Sequence, residues 1–187
     1  NFLYRTSDEI DYGPDNGFDG QFGGFTLNST LNGGAAEVEG WEFNYSQQLT
    51  FLPKPFNGLG LFANYTTLKT SGVYAEGARA LAGFVPKTAN AGASFRWRKV
   101  EARASWRYTS AYLRSYNANI YAQSSFRPVE NIDLSLQYKF SPRFSFYVDA
   151  INITNKWPQN FTGTDEGRVT FADNYGVRYN IGITGRF

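Results

Sequence analysis

At the C-terminal end of the chain, Tyr175, Val177, Tyr179, Ile181, Ile183 and Phe187 share one parity, and Arg178, Asn180, Thr184 and Arg186 take the other. A period of two is that of a β-strand with one apolar face and one polar face. The same alternation recurs upstream. Ile132, Leu134, Leu136, Tyr138 and Phe140 alternate with Asp133, Ser135, Gln137 and Lys139, and Phe144, Phe146 and Val148 with Ser145, Tyr147 and Asp149. Val100, Ala102, Ala104, Trp106 and Tyr108 alternate with Glu101, Arg103, Ser105, Arg107 and Thr109. Ala89, Ala91, Ala93, Phe95 and Trp97 alternate with Asn90, Gly92, Ser94, Arg96 and Arg98. Leu59, Leu61, Ala63 and Tyr65 follow the pattern with Phe62 as the exception, and Trp41, Phe43, Tyr45, Leu49 and Phe51 complete it. Repeated alternating segments of roughly ten residues are the signature of a transmembrane β-barrel. The pattern predicts an all-β fold: an antiparallel transmembrane barrel segment of about eight meander strands, an open curved sheet if alone.

Parity also sets hairpin registers. Phe140 and Phe144 agree in parity, which predicts a Ser141-Pro142-Arg143 loop with Tyr138 facing Phe146, Leu136 facing Val148 and Ser135 facing Asp149. Trp97 and Val100 disagree, which predicts a two-residue connection at Arg98-Lys99 pairing Arg96 with Glu101, Ser94 with Arg103 and Ala91 with Trp106. Pro53–Gly58 is a third tight connection. Between them lie long polar connections over about residues 7–35, 71–86, 113–128 and 154–174. Strict alternation of short and long is that of outer-membrane barrels, with short periplasmic turns and long external loops. Within the first long connection, Phe25–Asn32, Gly33-Gly34 and Ala35–Trp41 read as strand, turn, strand.

Composition changes this picture little. Mean hydropathy is −0.43, and no run approaches the ~18 apolar residues of a transmembrane helix; a barrel reconciles both, because half of each strand faces a polar lumen. A net charge of +2 without a basic block does not imply nucleic acid. The absence of Cys and His removes disulfides, thiolate chemistry and the commonest metal ligand and base. The chain starts at Asn1, contains no Met and shows no signal peptide, so it is expected to be a fragment or a processed product.

Arg96, Glu101, Arg103, Arg107, Asp133, Asp149 and Arg178 are the expected lumen-facing polar residues, either lining a solute path or satisfying one another as a charged ladder. Trp41, Tyr45, Tyr65, Trp106, Tyr108, Tyr175 and Tyr179 lie towards the outer strand ends on the apolar parity, and Phe51, Trp97, Phe140, Phe144 and Phe187 towards the inner ends. Two such bands read as the aromatic girdles of a membrane barrel. Asp8, Glu9, Asp11, Asp15 and Asp19 offer carboxylates to Ca²⁺ but lack the spacing of a known calcium loop, so a solvated loop is expected and no metal or cofactor is assigned. Tyr112, Tyr116, Tyr121, Phe126, Trp157 and Phe161 either stack on a ligand or pack the loops. No Gly-x-Ser-x-Gly or Ser-x-x-Lys occurs, and no enzyme is expected.

Three stretches resemble one family. Asn32–Phe43 looks like its "N-x-G-x-A-x-x-x-G-x-E-hydrophobic" pattern. Tyr147–Asn155 looks like its penultimate strand, ending in "N-L-T-N", and Gly176–Phe187 like its closing strand. In order and spacing these resemble the C-terminal part of the barrel of a TonB-dependent outer-membrane receptor, with Trp41 and Ile153 as departures. The resemblance implies a barrel of ~22 strands with a plugged lumen in the outer membrane of a Gram-negative-type bacterium. It also implies upstream strands, a plug and a TonB-engaging segment outside this chain, and energy-coupled uptake of a siderophore, a vitamin or a glycan. Two alternatives stand beside it: a complete small eight-stranded outer-membrane barrel with a structural or adhesive role, and a soluble ligand-binding β-barrel. Against the former, Phe2–Arg5 is too short for a full closing strand of ~9–11 residues.

Overall fold

The computed structural model describes residues 3–9, 26–32, 35–74, 77–117, 119–163 and 168–185. Two compact units divide the chain: residues 1–38 with 70–81, and residues 39–69 with 82–187. In the first unit, β1 (Leu3–Glu9) and β2 (Thr26–Asn32) form a two-stranded antiparallel sheet running from Leu3 opposite Asn32 to Glu9 opposite Thr26. The expected hairpin of residues 25–41 is thus corrected. Its first strand exists but takes β1 as its partner, and its second arm, β3 (Ala36–Gln48), belongs to another sheet. β1 is also longer than Phe2–Arg5.

That other sheet is the principal one. β4 (Leu59–Tyr74), β5 (Gly77–Arg79), β6 (Lys87–Trp97), β7 (Val100–Thr109), β10 (Val129–Lys139), β11 (Phe144–Ile151) and β14 (Arg178–Gly185) join β3 in it, in the order β14-β11-β10-β7-β6-β4-β3 with β5 paired to β4. All its ladders described residue by residue are antiparallel. Spatial neighbours are successive strands of the meander, so the all-β antiparallel expectation holds. Among the described residues there is no α-helix, and no helix is long and apolar enough to cross a membrane.

The hairpin registers are those expected from parity. Arg96 faces Glu101, Ser94 faces Arg103 and Ala91 faces Trp106 across β6 and β7. Tyr138 faces Phe146, Leu136 faces Val148 and Ser135 faces Asp149 across β10 and β11. The Arg98-Lys99 turn lacks the favoured Asn-Gly, and Arg98 itself takes the positive φ, at 50°, that such a turn requires of its first central residue. Ser141 Oγ accepts from the backbone N–H groups of Arg143 (3.2 Å) and Phe144 (3.0 Å), which closes the three-residue turn. Between β3 and β4 a 3-10 turn at Phe56–Gly58 completes the third short connection.

The long polar connections carry strands of their own. β4 continues to Tyr74 and folds back on β5. The segments 113–128 and 154–174 carry β8 (Tyr112–Ser115), β9 (Ser124–Phe126), β12 (Gln159–Thr162) and β13 (Val169–Ala172). These form a separate four-stranded sheet in the order β13-β12-β9-β8. The physical reason is pairing across two loops. Each segment is too short and mixed to alternate visibly, but Asn160 and Phe161 of β12 meet Phe126 and Ser125 of β9, which satisfies backbone groups that neither loop satisfies alone. β14 starts at Arg178, not Tyr175. Tyr175 instead donates its hydroxyl to Asp173 at 2.8 Å, and the adjacent carboxylate raises the tyrosine pKa from its usual value.

Candidate functional site: the two faces of the principal sheet

Residues directly opposite in a ladder project from the same face, so the registers sort the sheet into rungs. Four apolar rungs run Trp97–Val100–Tyr138–Phe146–Ile183, Leu59–Phe95–Ala102–Leu136–Val148–Ile181, Leu61–Ala93–Ala104–Leu134–Ala150–Tyr179, and Ala63–Ala91–Trp106–Ile132. The other face carries the rungs Arg96–Glu101–Gln137–Tyr147–Gly182, Gly60–Ser94–Arg103–Ser135–Asp149–Asn180, Phe62–Gly92–Ser105–Asp133 and Asn64–Asn90–Arg107–Asn131, polar except at the two aromatics. Every apolar residue of one face therefore gathers with the others, as parity predicts.

On the polar face the expected charged residues meet in small groups. Arg96 Nη2 lies 2.9 Å from Glu101 Oε1, with a second bond from Nε at 3.2 Å. Arg107 Nη2 donates to Asp133 Oδ2 at 3.4 Å, while Oδ1 of the same carboxylate accepts the backbone N–H of Asn152 at 2.8 Å. Ser135 Oγ donates to Asp149 at 2.6 Å. Arg103 lies over the ring of Phe62, 5.0 Å from its centroid. Arg178 sits opposite Ile151 at the start of β14. These are exposed pairs, and such pairs contribute little to stability; what they do is hold long side chains in place on one face.

Phe62, the parity exception, is explained here. It sits opposite Gly92, and a Cβ on Gly92 would approach the Phe62 ring within 2.4 Å. The glycine makes room for the ring to lie flat across the strand, under the Arg103 guanidinium. Tyr147 and Gly182 repeat the arrangement between β11 and β14. Aromatic cover of a strand glycine is a known means of pinning register.

The aromatics expected in the girdles take the following positions. Trp106 and Tyr108 stack at 6.1 Å, and Tyr65 shares the rung of Ala89 and Tyr108. Trp41 is exposed on β3. At the short-turn end Phe140 and Phe144 stack at 6.2 Å, and Trp97 lies one rung inward of the Arg98-Lys99 turn. Tyr179 lies next to the start of its own strand but shares a rung with mid-strand Ala93 and Leu134, because successive strands are staggered. Phe187, Arg186, Asp11, Asp15 and Asp19 lie outside the described residues, and Asp8 and Glu9 fall in β1.

Two recesses mark the faces. One, on the apolar face, has a volume of about 520 Å³ and is lined chiefly by Ala93, Phe95, Ala102, Ala104, Leu134 and Leu136. The other, of about 440 Å³, gathers Gln137, Lys139, Arg143, Ser145 and Thr184 beside the Ser141-Pro142 turn. Among the loop aromatics, Tyr112 stacks on Phe126 at 4.8 Å and Phe161 is buried, so these pack the second sheet. Tyr121 is exposed, and Trp157 lines a recess with Arg127, Lys156 and Gln159.

Asn152 is a structural residue that strand parity does not single out. Its φ is +57°, and its amide donates to the carbonyls of Lys156 (2.8 Å) and Gly176 (3.2 Å) while its Oδ1 accepts from Lys156 N (3.2 Å) and Thr154 Oγ1 (3.3 Å). It ends β11 and ties the following turn to the approach of β14. The Asn-Ile-Thr-Asn motif was the available signal.

The TonB dependent receptor-like β-barrel family matches residues 2–153. Among solved structures, the unliganded ferric citrate transporter FecA is similar at 10% identity and a TM-score of 0.63, covering 84% of this chain and 24% of that one. The siderophore receptor PiuA from Acinetobacter baumannii is similar at 11% and 0.60, covering 80% and 22%. The copper transporter OprC is similar at 16% and 0.61, covering 87% and 25%. The chain thus spans about a quarter of the length of these structures. No curated protein matches it.

Proposed function

The chain belongs to the TonB-dependent receptor β-barrel family, and from that premise we propose that it forms the C-terminal part of the wall of an outer-membrane receptor that takes up a scarce solute. The apolar rungs face lipid. The polar rungs, with Arg96, Glu101, Arg103, Arg107, Asp133, Asp149 and Arg178, face the lumen. The bands containing Trp106 and Tyr108 at one end, and Trp97, Phe140 and Phe144 at the other, sit at the two membrane interfaces. Upstream strands complete the barrel, a plug fills it, and an inner-membrane TonB complex energises it. The solute is of the siderophore, vitamin or glycan kind, and the wall itself has no catalytic part.

One observation carries this reading. Leu134 and Leu136 stand in the middle of a sheet face and remain 43% and 47% exposed. A soluble sheet covers such a face with a second layer, whereas a bilayer covers it without protein. The short connections gather at one end of the strands, as they do at the periplasmic rim of outer-membrane barrels.

The test is cysteine scanning of Asp133, Leu134, Leu136 and Gln137 in the membrane-embedded protein, with a lipid-phase probe and a water-soluble thiol reagent. This chain has no native Cys to confuse the signal. Lipid labelling at the two leucines and aqueous labelling at Asp133 and Gln137 are expected. The reverse pattern would replace the receptor with a soluble barrel that binds its ligand inside.

A further inference from the structure

The apolar face is not level. Ala93, Ala102 and Ala104 form a floor between the taller Phe95 on one side and Leu134, Leu136 and Val148 on the other, making the groove of about 520 Å³. Below it comes the rung Trp97–Val100–Tyr138, and then the Arg98-Lys99 turn. From Ala93 to Trp97 is roughly 13 Å along the strand, which fits within the about 15 Å of one leaflet's hydrocarbon.

Charge gathers at the same end. The short connections and their flanks hold Lys54, Arg98, Lys99, Lys139 and Arg143, with no carboxylate among residues 49–58, 97–100 or 139–144. The adjacent carboxylate, Glu101, is already held by Arg96 at 2.9 Å. Arg98 turns to the apolar side, its guanidinium 5.5 Å from the centroid of the Trp97 ring. A cation stacked on an interfacial tryptophan, directly below a dry groove, is placed where a lipid phosphate meets its acyl chain.

We propose that this is a binding site for one anionic phospholipid of the leaflet at the short-turn end. An acyl chain lies over the alanine floor, and the phosphate is held by Arg98 with Lys99 beside it. The proposal rests on the membrane-wall reading above. Charge complementarity selects the occupant: a second copy of this chain would set the same cations against each other, and a zwitterionic lipid would bring a cation of its own beside them.

The experiment uses the full-length protein carrying this chain, purified from its membrane and confirmed as a folded, heat-modifiable barrel. Native mass spectrometry counts phosphatidylglycerol and phosphatidylcholine retained from an equimolar mixture. Wild type should prefer phosphatidylglycerol. Removing both cations in R98Q/K99Q should weaken that preference by roughly five-fold per cation, with retention of phosphatidylcholine falling far less than that of phosphatidylglycerol. Filling the floor in A102F/A104F should reduce retention of both lipids. Equal retention of the two lipids by wild type, an unchanged preference in R98Q/K99Q, or lipopolysaccharide displacing phosphatidylglycerol overturns the site. Lipid-phase labelling of Leu134 and Leu136 with no lipid preference would sink this site alone; aqueous labelling there would sink the membrane reading as well.

Discussion

Gly92 and Gly182 read alike in the sequence, each a small residue on the polar parity of a strand, yet they differ in what surrounds them. A Cβ on Gly92 would come within 2.4 Å of the Phe62 ring and 2.5 Å of the Ala104 carbonyl oxygen, whereas the nearest atoms to one on Gly182 belong to the Tyr147 side chain, its hydroxyl and ring edge at 2.7–2.8 Å. A tyrosine can swing its outer edge aside; a backbone carbonyl in a ladder cannot. Gly92→Ala should therefore destabilise the protein by about 1–3 kcal/mol in equilibrium unfolding, with only partial recovery in a Phe62→Ala background. Gly182→Ala should cost less and recover fully with Tyr147→Ala. Asn152 poses a different demand, since it combines a left-handed backbone with a buried amide that holds three segments of the turn together. Asn152→Ala leaves those groups without partners and should cost about 1–3 kcal/mol. Asn152→Gly keeps the backbone conformation and should recover only part of that loss, which separates the hydrogen bonds from the φ angle.

Elements read well where one face alternates over many residues and poorly where pairing depends on a distant segment. Leu136 shows the first case. Parity predicts it on the apolar face opposite Val148, where the register puts it; its partner on the other side, Ala102, lies across a long connection that parity does not register. If that position is at the bilayer midplane, Leu136→Arg should cost ~2–4 kcal/mol, while Gln137→Arg on the opposite face should be near neutral. Unfolding of the reconstituted protein measures both, and a neutral Leu136→Arg would argue against lipid contact. β12 shows the second case. Asn160 is 1% exposed between β9 and β13, although the sequence around it has only the look of a polar loop. Nothing local marks a four-residue strand whose partners lie in another loop. The charged groups of the polar face fall between these extremes. The Arg96–Glu101 pair followed directly from a two-residue turn, but the Arg107–Asp133 contact is diagonal, and the role of Asp133 in receiving the Asn152 backbone depends on how β11 ends.

At the scale of the whole molecule, the principal sheet has two ends, β14 and β3, in its strand order. Its apolar face carries Tyr179, Ile181 and Ile183 at the β14 end, each 66% exposed. Unpaired edges are templates for association with other chains, and a membrane barrel tolerates none, because backbone groups facing hydrocarbon must be paired. In a barrel built from more strands than these, both edges find partners within the protein. This leads to a distinction between the receptor wall and a small complete barrel. Residues 1–187 expressed alone and refolded in detergent should remain a mixture of associated species, without the heat-dependent change in electrophoretic mobility of a closed barrel. The protein with its upstream strands should show that change as a monomer. A monomeric, heat-modifiable, protease-resistant species from residues 1–187 alone would mean that β3 and β14, or β1 in place of β3, close on each other. The chain would then be a self-sufficient small barrel, and its polar rungs would fill a narrow interior by pairing with one another instead of facing a plug.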